Sequence, residues 1–452
     1  MDIDDTCTDT DATRLLGLEG MGVIAVEDGE AGLVVHVTTT DEAARACPTC
    51  GTISTTRKER RVTRPRQLPY GGRAVDIRWH KSRWYCAERS CPRTSFTEQT
   101  RQVPAGARLT AALRREAGRA VADGGRTVLQ TARDLGISWP TAQAALRLYA
   151  EQALPDEPEP TAAIGIDETR RGKPVWREKD DGSGKWELVA DAWHIGFVDA
   201  VGGRGLFGQV EGRTADSVAT WLSLQPEHWK QQIKHVAIDL CTTFRAAVRR
   251  ALPHATVVVD CFHIVQLAQR HLADLRRRLT WKHYGRRARK GDAVYTVRRL
   301  LRRNKEDLTP TQLDLIKTEL NGMGTFGQQI YQAWQAKELL RELLRLTFKH
   351  AHVTPDRAAI SAARFRLQAF CADRPHLPEL VTLAETVDQW WDGIEAYVIT
   401  GISNAASEGN NRVIKLEARK AYGFRNRANQ RLRSLCATTR RSRGVLTPHQ
   451  VR

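Results

Sequence analysis

The chain has 452 residues, 41% hydrophobic and 27% charged, and its 70 Lys and Arg outnumber its 52 Asp and Glu to give a formal charge of +18. That length supports two to four domains with cores of their own. No apolar run reaches the roughly 18–20 residues that span a bilayer, so no membrane partner is expected. The positive balance favours a polyanionic partner. Nine cysteines are too few for a disulfide scaffold in a chain this long. The N-terminus, Met1-Asp2-Ile3-Asp4-Asp5, is acidic and lacks the basic-then-apolar layout of a signal peptide. The cytoplasm is therefore the expected compartment.

Residues 1–100 contain four clustered cysteines. Cys47-Pro48-Thr49-Cys50-Gly51 is a C-x-x-C followed by glycine, and Cys86 and Cys91 form a C-x4-C. A short cysteine pair on a turn aims two thiolates at one point, and two such pairs complete a tetrahedral zinc site. Between them Ala74-Val75-Asp76-Ile77-Arg78-Trp79-His80 alternates in polarity after the turn Tyr70-Gly71-Gly72, which predicts hairpin strands and a ribbon-like module. Arg57, Lys58, Arg60 and Arg61 lie inside this module and are candidates for holding phosphates. Cys7, Cys241, Cys261, Cys371 and Cys436 have no neighbouring cysteine and read as buried or incidental.

Residues 105–152 predict helices. The run 109–122 has good helix formers, and a second helix follows from 127 to 135. The turn Gly136-Ile137-Ser138, with Ser138 as N-cap ahead of Pro140, then opens a third helix. Ala132, Leu135, Ile137, Ala142 and Leu146 would fill the space between the last two. This is a helix-turn-helix pattern, and it places Thr141, Gln143 and Arg147 as candidates for reaching bases or phosphates. Residues 153–160, with Pro155-Asp156-Glu157-Pro158-Glu159-Pro160, form a stiff acidic linker.

Residues 161–263 then alternate strands and helices. Strands are predicted at 163–167, 193–198, 206–210, 235–239 and 256–260, with helices at 214–224 and 244–252. Three strands followed by helix, strand, helix and strand predict an RNase H-like core in which the first and fourth strands lie side by side. The segment 264–402 is helical and rich in arginine, an all-α insertion, with Trp390 and Trp391 expected in its core. Residues 403–452 return to the strand-bearing core with a capped helix carrying Glu408, Asn411 and Lys415, followed by a basic tail.

Three carboxylates stand out against the basic background. Asp167 ends an apolar run at the first strand, Asp239 ends the fourth, and Glu408 opens the late helix. Acids held at the ends of buried strands can share one cleft and hold divalent cations. Asp260, at the end of the fifth strand, competes with Asp239 for the middle position. Asp239 is preferred because its strand neighbours the first. His263 is a candidate for orienting a phosphate, or else a structural hydrogen bond. Glu168 alternates away from Asp167.

These segments together resemble the ISL-three family of insertion-sequence transposases, which are DDE enzymes. The matching residues are Cys47-Pro48-Thr49-Cys50-Gly51, Cys86 and Cys91, Ile164-Gly165-Ile166-Asp167-Glu168, Val259-Asp260-Cys261-Phe262-His263, Ser403-Asn404 through Glu408, Asn411, Ile414-Lys415, and Tyr422-Gly423-Phe424-Arg425-Asn426. The likeness runs over nearly the whole chain, although the stretch 174–187 is longer than the family leads one to expect. It implies an enzyme that binds the inverted repeats at the ends of its element. Such an enzyme cuts DNA and joins the freed 3′ end to a target, using Mg²⁺ or Mn²⁺ held by Asp167, Asp239 and Glu408. A structural zinc would sit on Cys47, Cys50, Cys86 and Cys91, and Lys415 would join the DNA contacts. The implied partner is double-stranded DNA, in the nucleoid, bound by a homo-oligomer, since two ends must meet. The alternatives are a catalytically inactive, domesticated DNA-binding protein and an RNase H-like nuclease without strand transfer.

Overall fold

The computed structural model describes residues 10–444. Cys7 and the acidic N-terminal residues lie outside this range, as does the end of the basic tail. The chain divides into two compact units, residues up to Leu154 and Pro155–Arg443.

The first unit is built on a five-stranded sheet. Strands β1 (Met21–Gly29) and β2 (Gly32–Thr39) form a hairpin. Strand β4 (Ala74–Tyr85) runs parallel to β2 and pairs antiparallel with β3 (Arg57–Thr63) and the short β5 (Ser95–Thr97). The alternation in β4 buries Val75, Ile77 and Trp79 against Met21, Val23, Val35 and Val37. Its far end buries Trp84 with Phe96 and Cys47, a small separate core beneath the cysteines. Three helices follow: Ala111–Ala122, Val128–Asp134 and Trp139–Ala153. Each starts where a hydroxyl, on Thr110, Thr127 or Ser138, accepts from a first-turn amide that would otherwise lack a partner. Gly118 lets the first and third helices touch, since a Cβ there would lie 2.5 Å from Tyr149 Cβ.

The second unit carries a mixed sheet. Its strands are β6 (Ala163–Arg170), β9 (Trp193–Asp199), β10 (Leu206–Glu211), β11 (His235–Ile238) and β12 (Thr256–Val259), in the order β10-β9-β6-β11-β12. The first three are antiparallel, while β6, β11 and β12 are parallel. Between β6 and β9 the chain makes a two-stranded ribbon, β7 (Val175–Glu178) and β8 (Trp186–Ala190). One face of the sheet buries Ile164, Ile166, Ile195 and Phe197 in the main core. The other presents Gly165 and Val198, and the helix Ala405–Lys420 packs there through Ile414.

The helical segment opens directly after β12 with Cys261–Tyr284 and ends with Trp391–Thr400. It shares one core with the sheet rather than enclosing its own. Gly393 explains the join, because a Cβ there would lie 2.6 Å from Val259 Cγ2, so the last of these helices rests directly on β12. Several of its arginines are tied down, Arg278 to Glu379 at 2.7 Å and Arg341 to Glu306 and Glu338. Trp390 is buried. No helix among the described residues is long and apolar enough to cross a membrane.

Candidate metal centres and functional site

Cys47 and Cys50 come from one turn and Cys86 and Cys91 from another, and their four sulfurs lie within 4.8 Å of one another. Cys47 Sγ is 4.0 Å from Cys91 Sγ, and Cys50 Sγ is 3.5 Å from Cys86 Sγ. Four sulfurs bound to zinc at about 2.3 Å stand roughly 3.8 Å apart, so the set fits a structural zinc. The acidities agree with that fit. The Thr52 hydroxyl and amide draw the Cys50 thiol down to about 6, which supplies a thiolate near neutrality. Burial and crowding by the other sulfurs push Cys86 up to about 12. Beside it, Arg57, Lys58, Arg60 and Arg61 are all exposed on β3. Lys58 lies over the Tyr85 ring at 5.2 Å and Arg57 over Trp84 at 5.6 Å.

On the Trp139–Ala153 helix the predicted contact residues separate. Arg147 is exposed and Thr141 half-buried. Gln143 is a correction: it is only 5% exposed. It follows Ala142 and precedes Ala145 and Leu146 by two and three positions, so it falls on the side that packs inward.

The carboxylates gather at one end of the second unit's sheet. Asp167 lies inside β6, which continues to Arg170 rather than ending at the aspartate. Pairing of β6 with β11 runs only from Ala163 to Gly165, so Asp167 has an open flank toward the end of β11, where Asp239 follows Ile238. Asp167 shares its face of β6 with Gly165, the face covered by the Ala405–Lys420 helix. Burial, and then the Asp239 charge, push the Asp167 carboxyl up to about 7.

Gly165 makes this assembly possible. A Cβ there would lie 2.5 Å from Ser407 Oγ and 2.6 Å from Asn404 Oδ1, so only glycine lets the helix start against the strand. Asn404, 1% exposed, donates to Ile166 O at 3.1 Å and to Asp239 Oδ1 at 3.2 Å. Two turns on, Asn411 donates to Asp167 Oδ2 at 2.6 Å and accepts from the Thr169 hydroxyl. Asn404, Ser407 and Asn411 therefore face the sheet, and the two asparagines tie both aspartates to the helix whose first turn holds Glu408. Asn404 Oδ1 and Ser407 Oγ are buried with no hydrogen-bond partner, polar atoms that the fold places at the site without using them itself.

Asp260 and His263 complete the neighbourhood. Asp239, Asp260 and His263 each offer a ligand atom within 4.8 Å of the others. His263 Nε2 stands 3.1 Å from Asp239 Oδ2. Asp260 is 3% exposed and caps the Cys261–Tyr284 helix by accepting from Phe262 N at 3.2 Å. Burial raises its pKa, with the Phe262 amide working against that, and the charge of Glu408 adds to the rise. The two rivals for the middle position are thus adjacent, one half-exposed beside Asp167 and one buried as a helix cap. Glu168, on the opposite face, is held by Arg213 at 2.7 Å.

A four-thiol ribbon in one unit and a carboxylate edge on a mixed sheet in the other define a multidomain α/β protein with a structural zinc module. Residues 164–434 match the ISL3 DDE family, described as transposase. Residues 43–91 match the zinc finger of the transposases of IS204, IS1001, IS1096 and IS1165. The chain belongs to the ISL3 transposase family. It is 26% identical over 216 residues to the transposase for insertion sequence element IS1001 of Bordetella parapertussis, a match covering 48% of this chain and 50% of that protein. It is 27% identical over 216 residues to the transposase for insertion sequence element IS1557 of Mycobacterium tuberculosis, covering 43% and 45%. The chain spans about half the length of the curated relatives it matches.

Proposed function

We propose that this protein binds the terminal inverted repeats of an insertion sequence and carries out metal-dependent DNA cleavage and strand transfer with Asp167, Asp239 and Glu408. The observation that carries the reading is the pair of asparagines. Asn404 and Asn411 join Asp239 and Asp167 to the segment whose first helical turn bears Glu408, which supports reading these three acids, distant in sequence, as one group. A family match alone would not require that.

The donor set suits magnesium or manganese, since it offers carboxylate oxygens and no sulfur. The Asp239 charge that helps raise the proton affinity of Asp167 also suits a cation between the two carboxylates. Divalent ions at such a site polarise a phosphodiester and acidify a water or a 3′-hydroxyl. The residues of the chain do the rest. Asp167, Asp239 and Glu408 hold the cations. Asn411 and Asn404 fix the orientation of the two aspartates, and His263 holds the other oxygen of Asp239.

Asp239 is the middle carboxylate in this reading because its strand pairs with β6, whereas Asp260 is spent on capping a helix. The sheet, with its central parallel pair and antiparallel flank, is read as an RNase H-like core. The Val128–Asp134 and Trp139–Ala153 helices are read as a helix-turn-helix. Double-stranded DNA is then held by Arg57, Lys58, Arg60 and Arg61 on β3, by Thr141 and Arg147, and by Lys415. Joining two ends calls for a homo-oligomer on DNA, acting in the cytoplasm at the nucleoid.

The test is cleavage of a duplex carrying the ends of the element. Nicking that needs Mg²⁺, exposes a 3′-hydroxyl and disappears in Asp167→Asn and Glu408→Gln while DNA binding persists supports the reading. Binding of the ends with no metal-dependent nicking under any of these conditions would leave a DNA-binding protein and sink the enzyme.

A further inference from the structure

The turn after the Ala405–Lys420 helix has no part in the chemistry above, yet it is built with care. Tyr422 is 100% exposed and has a φ of +53°, in the left-handed region that disfavours every residue with a Cβ. The Tyr422 amide donates to Arg419 O at 3.0 Å and the Gly423 amide to Ala418 O at 2.8 Å. That pair of bonds is the usual helix ending with glycine at the left-handed position, and here tyrosine stands in glycine's place. Arg171, four residues past Asp167, fastens the turn. Its Nη2 donates to Phe424 O at 2.8 Å and its Nε to Gln430 Oε1 at 2.6 Å. A strained backbone and a firm mount thus present a ring that packs against nothing, and such an outlier points to function rather than to folding.

The approach to that ring is equally ordered. Glu408, Arg412, Lys415 and Arg419 follow one another at spacings of four, three and four, so they form one stripe along the helix, and Tyr422 follows in the turn just beyond its end. It runs beside the buried stripe of Asn404, Ser407, Asn411 and Ile414. Arg412, Lys415 and Arg419 are exposed, and none has an acidic partner within ion-pair distance among the described residues. At about 1.5 Å per residue the run from Glu408 to Tyr422 spans roughly 21 Å, or about six nucleotides at about 3.4 Å per step along a strand.

We propose that this stripe is a track for one DNA strand leading away from the carboxylates, and that Tyr422 ends it as a stacking platform for an unpaired base. The proposal rests on the DNA-cleavage reading and adds to it the path and the state of the strand. The three cations match successive phosphates. An exposed aromatic ring accepts any base, because every base has a π-face, and it does so only when the base is free of its own stack.

The experiment uses the full chain and two labelled probes, a blunt duplex and the same duplex with a single-stranded tail, compared by fluorescence anisotropy at fixed salt. The wild type binds the tailed probe more tightly. Tyr422→Gly weakens binding to the tailed probe about tenfold and loses the preference for the tail. Its melting temperature is no lower than that of the wild type, because glycine is at ease at that φ. Tyr422→Phe, which keeps the ring, restores most of the lost affinity. A Tyr422→Gly protein that binds the tailed probe as the wild type does overturns the proposal, as does one that melts earlier, since the ring would then be structural. A wild type that binds both probes equally removes the stacking platform and leaves the DNA reading intact. A wild type that binds neither overturns that reading and this proposal together.

Discussion

The cysteine cluster of the first unit and the carboxylate cluster of the second are both suited to metal, but they are made in opposite ways. The thiols come from two short turns joined by β3 and β4, and their four sulfurs would hold a zinc ion and leave it no open position. The carboxylates come from two neighbouring strands and a helix more than two hundred residues after the first, and they offer hard oxygen. A closed local site holds a small module together, whereas an open site assembled at long range leaves room for a reacting group. The supports differ too. The cysteines rest on a small core of Trp84 and Phe96. The aspartates are aimed by buried asparagines on a helix admitted by a single glycine.

The largest effect that would separate the two sites is metal removal. Chelation of zinc, or Cys50→Ser, should unfold the ribbon around the cysteines, since a structural zinc contributes on the order of 10 kcal/mol to a small module. Circular dichroism and zinc content should fall together, one ion per chain, while the second unit keeps its own melting transition. Loss of both transitions at once would erase the contrast. Removal of magnesium should stop cleavage without changing either transition.

The next test sharpens the open site. Asp239→Asn should lower cleavage by roughly 10³-fold. Asp260→Ala should instead cost about 1 kcal/mol of stability through the lost helix cap and leave cleavage measurable. The reverse pattern in a nicking assay would move the middle carboxylate to the end of β12.

Gly165→Ala should cost about 1–3 kcal/mol and lower cleavage as well, because the new methyl group displaces Asn404 and Ser407 and with them the start of the Glu408 helix. Denaturant unfolding followed beside activity would show it. An unchanged Gly165→Ala protein would mean that the helix is not seated on the strand. The smallest effect is expected at the basic strand of the first unit. Lys58→Ala should weaken DNA binding alike for all sequences and reduce the salt slope of binding by about one. A change in sequence preference would instead make Lys58 a reader of bases.

Legibility followed the same divide. Cysteine spacing alone located the zinc cluster, because a C-x-x-C turn brings its own ligands together whatever surrounds it. The N-caps Ser138, Thr127 and Thr110 were equally local, although only Ser138 stood out in the sequence. No element before Cys47 is predicted, yet β1 and β2 form a hairpin there. Their place depends on β2 pairing with β4, some forty residues away. The strands of the second unit were readable as apolar runs, with Asp167, Asp239 and Asp260 as acids expected at their ends and Glu408 in the late helix, although Asp167 lies inside its strand. Gln143 misled because a polar residue on an amphipathic helix suggests solvent, while its neighbours Ala142 and Leu146 carry that side inward.

By itself the sequence determined the four-cysteine cluster, the basic character and most strands and helices of the second unit, and it singled out the acids. All of these follow from residue type and short-range spacing. Tertiary structure decided which acids lie near one another, Asp239 beside Asp260 and close enough to Asp167 to raise its pKa. It also decided that Asn404 and Asn411 aim them, that Gly165 is the gap through which the helix reaches the strand, and that Asp260 serves as a cap. These are relations between segments that chain spacing does not encode. They exist only once the parallel pairing of β6 with β11 and the close seat of the late helix bring those atoms within hydrogen-bonding distance.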